Sequence, residues 1–279
     1  MQNSSAYNYS VLMAVYSKDN SENLTLAIQS MLEQSSFPEQ FVIVEDGELP
    51  QELENVILHY ETTMPALFTI VRLAENKGLG NALNKGIEVC RNELIARMDA
   101  DDISKRERCK KQLERFRCNS SLDILGTQIE EFVGDISNVV SRRTVPCNNE
   151  EIIKFARRRS PFNHPTVMYK KSSVQRVGGY KVYGRKEDLD LFVRMVNAGV
   201  VAENLEESLL FYRTSADNYK RRKTWINCKE YIQIMYGFYK KKYIGIVDLL
   251  YVVAGQMAMY CMPSFISKKL SKKYLRDGK

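Results

Sequence analysis

An α/β fold with a mostly parallel sheet is predicted by three features of the first hundred residues. Apolar runs of strand length recur at residues 10–16, 41–44, 67–73 and 94–98. The first two lack polar alternation, as expected of strands buried on both faces. Segments with helical spacing separate these runs, which indicates βαβ units joined by right-handed crossovers. Two of the runs end in acids, Glu45-Asp46 and Asp99-Ala100-Asp101-Asp102. In open α/β sheets, ligands bind beyond the carboxyl ends of the strands.

Each element has its own justification. Asn20 or Ser21 can cap a helix that places Leu24, Ile28 and Met31 or Leu32 on one face. A second helix aligns Leu53, Val56 or Ile57, and Tyr60, and a third aligns Leu83, Ile87 and Cys90. Beyond the aspartates, residues 105–119 read as a helix with Cys109, Leu113 and Phe116 aligned, for which Asp102 or Ser104 is the expected cap. Residues 122–133 and 139–144 read as strands, and residues 150–159 as a helix. That helix ends in Arg157-Arg158-Arg159, which is either a solvated helix end or a contact for a diphosphate. A turn and short strand follow at 160–169, then a corner at Gly178-Gly179-Tyr180. A helix opens near Lys186 with Leu191, Met195 and Ala198 inward, and residues 208–213 form a last apolar strand.

Three carboxylates within four positions are costly on their own. Two like charges about 5 Å apart at an effective dielectric near 20 repel by about 3 kcal/mol. A helix cap accounts for one of them; a hard cation bridging phosphate oxygens accounts for the cluster. Gly78 and Gly80 follow the third strand rather than the first, and Leu83 stands where a dinucleotide fingerprint needs its third glycine. No Gly-Lys-Ser/Thr follows, so this is not a P-loop either. Their local reading is a tight strand-to-helix turn. Glu187, Asp188 and Asp190 sit in the first turn of a helix, where the dipole alone favours acids.

The chain has 279 residues, 44% of them hydrophobic and 27% charged, enough for one large domain with an appendage. Six scattered cysteines without a C-x-x-C pair, and only two histidines (His59 and His164), argue against zinc and for reduced structural thiols. The polar first ten residues carry no apolar core of a signal peptide, so a cytoplasmic protein is expected. The net charge of +7 is uneven: residues 213–279 hold 15 Lys and Arg against 4 Asp and Glu. That imbalance suggests an anionic partner for the tail.

Taken together and in order, these stretches resemble the inverting family-2 glycosyltransferases of GT-A (Rossmann-like) fold, in particular the bacterial members that build O-antigen, capsule and exopolysaccharide. The resembling stretches are Val11-Leu-Met-Ala-Val-Tyr16, Val42-Ile-Val-Glu-Asp-Gly47, Asn76-Lys-Gly-Leu-Gly80 and Ala96-Arg-Met-Asp-Ala-Asp-Asp-Ile-Ser104. Ala82-Leu-Asn-Lys-Gly86, Phe162-Asn-His-Pro-Thr-Val-Met168, Gly178-Gly-Tyr180 and Glu187-Asp-Leu-Asp-Leu191 complete the set. The resemblance implies a catalytic domain over residues 1–213 and a helical, basic extension over 214–279. It implies that Glu45 and Asp46 face the uracil of a UDP-sugar, with Val15 and Tyr16 near the base. Asn76, Gly78 and Gly80 would border the nucleotide. Asp99, Ala100 and Asp101 match the D-x-D motif, whose aspartates address the ribose and hold Mn²⁺ or Mg²⁺, with Asp102 adjacent. Asp188 matches the aspartate that deprotonates the acceptor, and Glu187 and His164 would stand beside it on the acceptor side.

The implied reaction moves a hexose or N-acetylhexosamine, with galactose the first expectation, to a polyprenyl-diphosphate-linked saccharide. Processive relatives carry Q-x-x-R-W and several membrane spans; Arg221-Arg-Lys-Thr-Trp225 lacks the glutamine, so one sugar per acceptor is expected. The apolar stretch 243–266, flanked by lysines and interrupted by Asp248, falls short of a span. Its expected form is an in-plane helix pair on an anionic membrane, at the inner face of the cell membrane. The competing form is a helical subdomain packed on the catalytic core. Two other functions fit less. A nucleotidyltransferase needs a glycine-rich basic loop after the first strand, and Tyr16-Ser-Lys-Asp-Asn20 is not one. A nucleic-acid binder would use Tyr236, Phe238, Tyr239 and Tyr243 as a stacking platform, but nothing upstream supports that fold, and no nucleic-acid partner is expected.

Overall fold

The computed structural model describes residues 8–181, 186–215 and 224–261. Three βαβ units open the chain: β1 (Tyr9–Val15), α1 (Ser21–Leu32), β2 (Gln40–Glu45), α2 (Gln51–Thr63), β3 (Phe68–Arg72), α3 (Leu79–Val89) and β4 (Leu94–Asp99). These four strands pair in parallel in the order β3-β2-β1-β4. The apolar runs of β1 and β2 lack alternation because both sheet faces are covered. Val11 and Met13 point into one buried cluster with Ile28, Phe41 and Ile57, while Leu12 points into the other with Leu83, Phe162 and Phe192. The α1 cap is Asn20, whose side chain accepts the Asn23 N–H at 2.9 Å.

The second half adds β5 (Ile103–Ser104), α4 (Arg108–Cys118), β6 (Leu122–Phe132), β7 (Val139–Arg143) and α5 (Asn149–Ala156). A 3₁₀ turn (His164–Thr166), β8 (Met168–Lys170), α6 (Lys171–Arg176), α7 (Glu187–Asn197) and β9 (Val201–Arg213) follow. The sheet continues from β4 through β8, β6 and β9 to β5, with β7 on the outside of β6. The β6–β9 pairing is parallel, while β8, β5 and β7 join antiparallel through short ladders. The sheet is therefore mostly parallel by length of ladder, as predicted.

Three local expectations are corrected. Helix α4 begins at Arg108, not Lys105, and its N-cap Glu107 makes no side-chain cap. Neither Asp102 nor Ser104 caps it, because β5 pairs Ile103 with Phe211 and Ser104 with Leu210, holding that segment in the sheet. The last strand starts seven residues earlier than its apolar run, because β9 pairs along the whole length of β6.

Beyond β9, α8 (Trp225–Lys240) and α9 (Ile246–Cys261) form a helix pair. Their inner residues Ile234, Met235, Phe238, Leu249 and Val252 belong to the same cluster as Leu191 and Phe192 of α7. The pair therefore packs on the α/β core and keeps an apolar outer face. Among the described residues, no helix is long and apolar enough to cross a membrane. Arg221, Arg222 and Lys223, residues 182–185 with Gly184, and Pro263, Lys268, Lys269, Lys272 and Lys273 lie outside the described residues.

Candidate active site

The carboxyl ends of β1, β2 and β4 lie side by side, since Val15 pairs with Glu45 and Ala14 with Asp99. The loops after these strands build the site. Asp46, 4% exposed, accepts the Lys77 N–H at 2.9 Å through Oδ1 and the Gly78 N–H at 3.0 Å through Oδ2. Gly47 sits at φ +87°, and a Cβ there would come within 2.6 Å of the Asn76 backbone nitrogen. Glycine is thus required where the loops after β2 and β3 lie against each other. Asp46 works as a clamp on the loop that carries Asn76 and Gly78. Glu45 is buried and pairs with Arg72 of β3 at 3.3 Å; burial raises its pKa and the arginine partly offsets this.

Gly80, in the first turn of α3, approaches the other half of the site. A Cβ there would lie 3.3 Å from both the Glu187 Cβ and the Lys181 carbonyl. Asn84, one turn on, holds Tyr180 in place: its Oδ1 accepts the Tyr180 N–H at 2.8 Å and its Nδ2 donates to the Tyr180 carbonyl at 2.7 Å. The glycine turn thereby carries the E-D pair and the Gly178-Gly179-Tyr180 corner to the strand ends, about a hundred positions away in sequence.

Asp99, Asp101 and Asp102 each offer a carboxylate oxygen within 4.8 Å of the others. Burial and then the Asp99 charge push Asp101 up to about 6. Asp102 is fully buried and driven well above the carboxylate range by burial, then by Asp101 and Asp99. Its Oδ1 accepts the Arg213 N–H at 2.8 Å, while its buried Oδ2 has no partner. Arg213, stacked on Phe132, also donates from Nε to the Asp101 carbonyl at 2.8 Å. The cluster is short of positive charge, and an all-oxygen donor set with an orphaned buried oxygen fits a hard divalent cation.

Two residues that the sequence reading did not assign complete this side. Asp19 accepts the Tyr16 N–H at 2.9 Å and is pushed up to about 7, first by burial, with Asp101 and Asp99 adding. It belongs to the same acidic pocket, and its only sequence signal is an acid a few residues past a strand end. Arg97 lies in the middle of β4, 1% exposed, and ion-pairs with Asp99. Its Nε and Nη1 are buried and find no hydrogen-bond partner. The guanidinium interacts electrostatically with Asp99 and Asp102 and also with Tyr180 and Glu187, linking the two acidic groups. A charged residue inside an apolar strand was the available signal.

At the start of α7, three acids have separate environments. Asp190 is buried and salt-bridged to Arg194 at 2.6 Å, a structural pair. Glu187, 8% exposed, is pushed up to about 7 by burial and then by Asp188, and its Oε2 has no partner. Asp188 is half-buried and meets the Ser160 Oγ at 3.5 Å. His164 pairs its Nε2 with the Tyr180 hydroxyl at 2.9 Å, and burial, then Arg97, hold it well below the histidine range. A neutral His164 beneath the site supports Tyr180 rather than carrying charge. Val15 is buried and Tyr16 partly exposed at the β1 end; Ala100 is buried between the aspartates.

Comparisons with known proteins show the family and the fold. Residues 10–184 match the glycosyl transferase family 2 profile. The chain is 33% identical over 272 residues to the UDP-Gal:alpha-D-GlcNAc-diphosphoundecaprenol beta-1,3-galactosyltransferase of Escherichia coli, covering 96% of this chain and 98% of that one. It is 33% identical to the amylovoran biosynthesis glycosyltransferase AmsE of Erwinia amylovora, covering 81% and 84% respectively. In structure it resembles the mannosyltransferase PcManGT of Pyrobaculum calidifontis in complex with GDP-Man and Mn²⁺, with a TM-score of 0.63 at 12% identity, covering 96% of this chain and 76% of that one.

Proposed function

The chain belongs to glycosyl transferase family 2, and from that premise we propose that it transfers a single hexose or N-acetylhexosamine, galactose first, from a UDP-sugar to a polyprenyl-diphosphate-linked saccharide. Configuration at the anomeric carbon inverts, and the product belongs to surface polysaccharide biosynthesis. The E. coli relative, whose name states a UDP-galactose donor and a lipid-linked acceptor, supports this choice of substrates. The observation that carries the reading is the placement of two acidic groups around Arg97. The aspartate cluster after β4 suits a diphosphate and its cation, and the half-buried Asp188 opening α7 suits a base.

Asp99 and Asp101, with Asp102 beneath, are the residues that would hold Mn²⁺ or Mg²⁺. Such an ion, when bound, neutralises the charge developing on the leaving diphosphate. The chain's own residues do the rest. The Asp46 clamp fixes the Asn76–Gly78 loop as one wall for the nucleotide. Arg97 orients Asp99 from below. Asp188 accepts the proton of the acceptor hydroxyl as that oxygen bonds to the anomeric carbon and the bond to the UDP oxygen breaks. A single displacement needs one base and no second carboxylate nucleophile, unlike a retaining hydrolase. Glu187, which keeps its proton until about pH 7, limits charge repulsion beside Asp188.

The helix pair suggests a peripheral place on the inner face of the cell membrane, where such an acceptor resides. The test is a donor screen that measures UDP or GDP release with Mn²⁺ and a synthetic lipid-diphosphate-GlcNAc acceptor. The proposal expects acceptor-dependent UDP release, fastest with UDP-galactose; release only from GDP-sugars, or long homopolymer products, would overturn it.

A further inference from the structure

Two helix C-termini meet at one cavity of about 530 Å³. Arg157 is the C-cap of α5, and Tyr239, Lys240 and Lys242 close α8. With Tyr243 and Ile244 they line the cavity. Each helix end contributes about half a negative charge, which three cations exceed. Among the described residues, none of Arg157, Lys240 and Lys242 is paired with a carboxylate. The acid at hand, Asp248, is already taken by Arg158 at 2.7 Å.

Lys242 is the informative residue. It is the one non-glycine residue with positive φ among those described, at φ 60°. Its N–H donates to the Tyr239 carbonyl at 2.9 Å, and the Tyr243 N–H donates to the Phe238 carbonyl at 3.0 Å. These two bonds form a Schellman closure, whose left-handed position glycine occupies with least strain. The chain instead keeps a lysine there, in a conformation L-residues resist. A helix dipole is already complemented by Lys240 and does not require this second strained cation.

The position of the cavity specifies the ligand. Arg157 precedes Ser160 by three residues, a reach of at most about 11 Å, and Ser160 meets Asp188. Tyr231 of α8 donates to the Arg158 carbonyl at 3.0 Å, so the helix pair is anchored beside the base. Helix α9 begins one residue past the cavity-lining Gly245 and exposes Ile246, Val247, Leu250 and Tyr251. The cavity is thus joined through the Arg157–Ser160 segment to Asp188 and through Gly245 to the exposed apolar face of α9, a continuity that suits the sugar, diphosphate and hydrocarbon of a lipid-linked saccharide.

We propose that this cavity binds the diphosphate of the lipid-linked acceptor, with its hydrocarbon chain lying along the exposed face of α9. The inference rests on the lipid-linked acceptor proposed above. The test compares the full chain with Lys242→Gly and Arg157→Ala, using UDP-galactose and two acceptors: an alkyl-diphosphate-GlcNAc and octyl-GlcNAc without the diphosphate. Lys242→Gly removes strain, so its urea midpoint should rise or hold, which separates misfolding from lost binding. Its preference for the diphosphate acceptor, as a ratio of kcat/KM values, should fall about tenfold, the size of one lost charge-assisted contact. An unchanged ratio in both variants overturns the site. Loss of binding to anionic vesicles with an unchanged ratio also overturns it, and assigns the cavity to bilayer headgroups. If the wild type uses neither acceptor, the transferase reading fails. Titration with dodecyl diphosphate then decides the cavity alone: saturable binding weakened by Lys242→Gly supports it, and no binding refutes it.

Discussion

Glu187→Gln isolates the electrostatics at the start of α7. Glu187 is buried beside Asp188, and its pKa rises from 4.5 to about 7, chiefly through desolvation. A carboxyl raised in this way holds its proton more tightly in the folded chain than in the unfolded one. Its contribution is therefore complete below about pH 4.5 and declines as the pH climbs to about 7. A shift of this size corresponds to about 3 kcal/mol of stability lost across that window. Glutamine has the same shape and cannot ionise, so the variant escapes that loss. The assay is urea unfolding of both proteins at half-unit steps from pH 4.5 to 8.5. Asp19 and Asp101 titrate in the same range, so the difference between the two proteins is the quantity to plot. That difference should grow in favour of the variant by up to about 3 kcal/mol and level off above pH 7.5. A difference that stays constant with pH would refute the burial argument.

Further predictions concern the aspartate cluster and its supporting arginine. Asp101→Ala should abolish transfer and weaken Mn²⁺-dependent UDP binding by calorimetry, while metal-free UDP binding changes little. Arg97→Met leaves Asp99 uncompensated above a buried strand, and should cost about 3–5 kcal/mol at pH 8 in urea unfolding. The cost should shrink at pH 5, where the raised carboxyls of Asp101 and Asp102 hold protons and the cluster carries less charge; an equal cost at both pH values would assign Arg97 a packing role only. Gly80→Val should displace the E-D pair through its contacts with Glu187 and Tyr180. It should therefore lower kcat for transfer about 100-fold while the melting temperature moves by only a few degrees.

What was legible in the sequence follows from which interactions are local. Strands β1 and β2 are continuous apolar runs because helices cover both faces, and Asn20 marks α1 through a bond three residues long. The acids at strand ends were visible because burial of like charges is anomalous wherever it occurs. Strand β9 was read short because Glu203, Glu206 and Glu207 interrupt its apolar pattern; its extent is fixed by β6, about eighty positions earlier. Strand β5 is two residues long and exists through Phe211 and Leu210, so no local pattern announces it. The same distance hid Asp102's bond to the Arg213 backbone, and made a helix cap the natural expectation. Arg97 and Asp19 act through the fold rather than through a motif. The basic triplet at Arg157 leaves two readings open in the sequence because the partners of Arg158, Asp248 of α9 and Tyr231 of α8, lie far along the chain.

The central claim is that Asp188 serves as the base of an inverting, single-sugar transfer from a UDP-sugar. The direct measurement is NMR of the product formed from UDP-galactose and lipid-diphosphate-GlcNAc, with turnover and UDP affinity determined for the wild type and Asp188→Asn. The account predicts one added sugar in β configuration from the α-linked donor. It also predicts turnover reduced at least about 100-fold in Asp188→Asn with UDP affinity preserved. A retained α configuration, or near-normal turnover in Asp188→Asn, would contradict it.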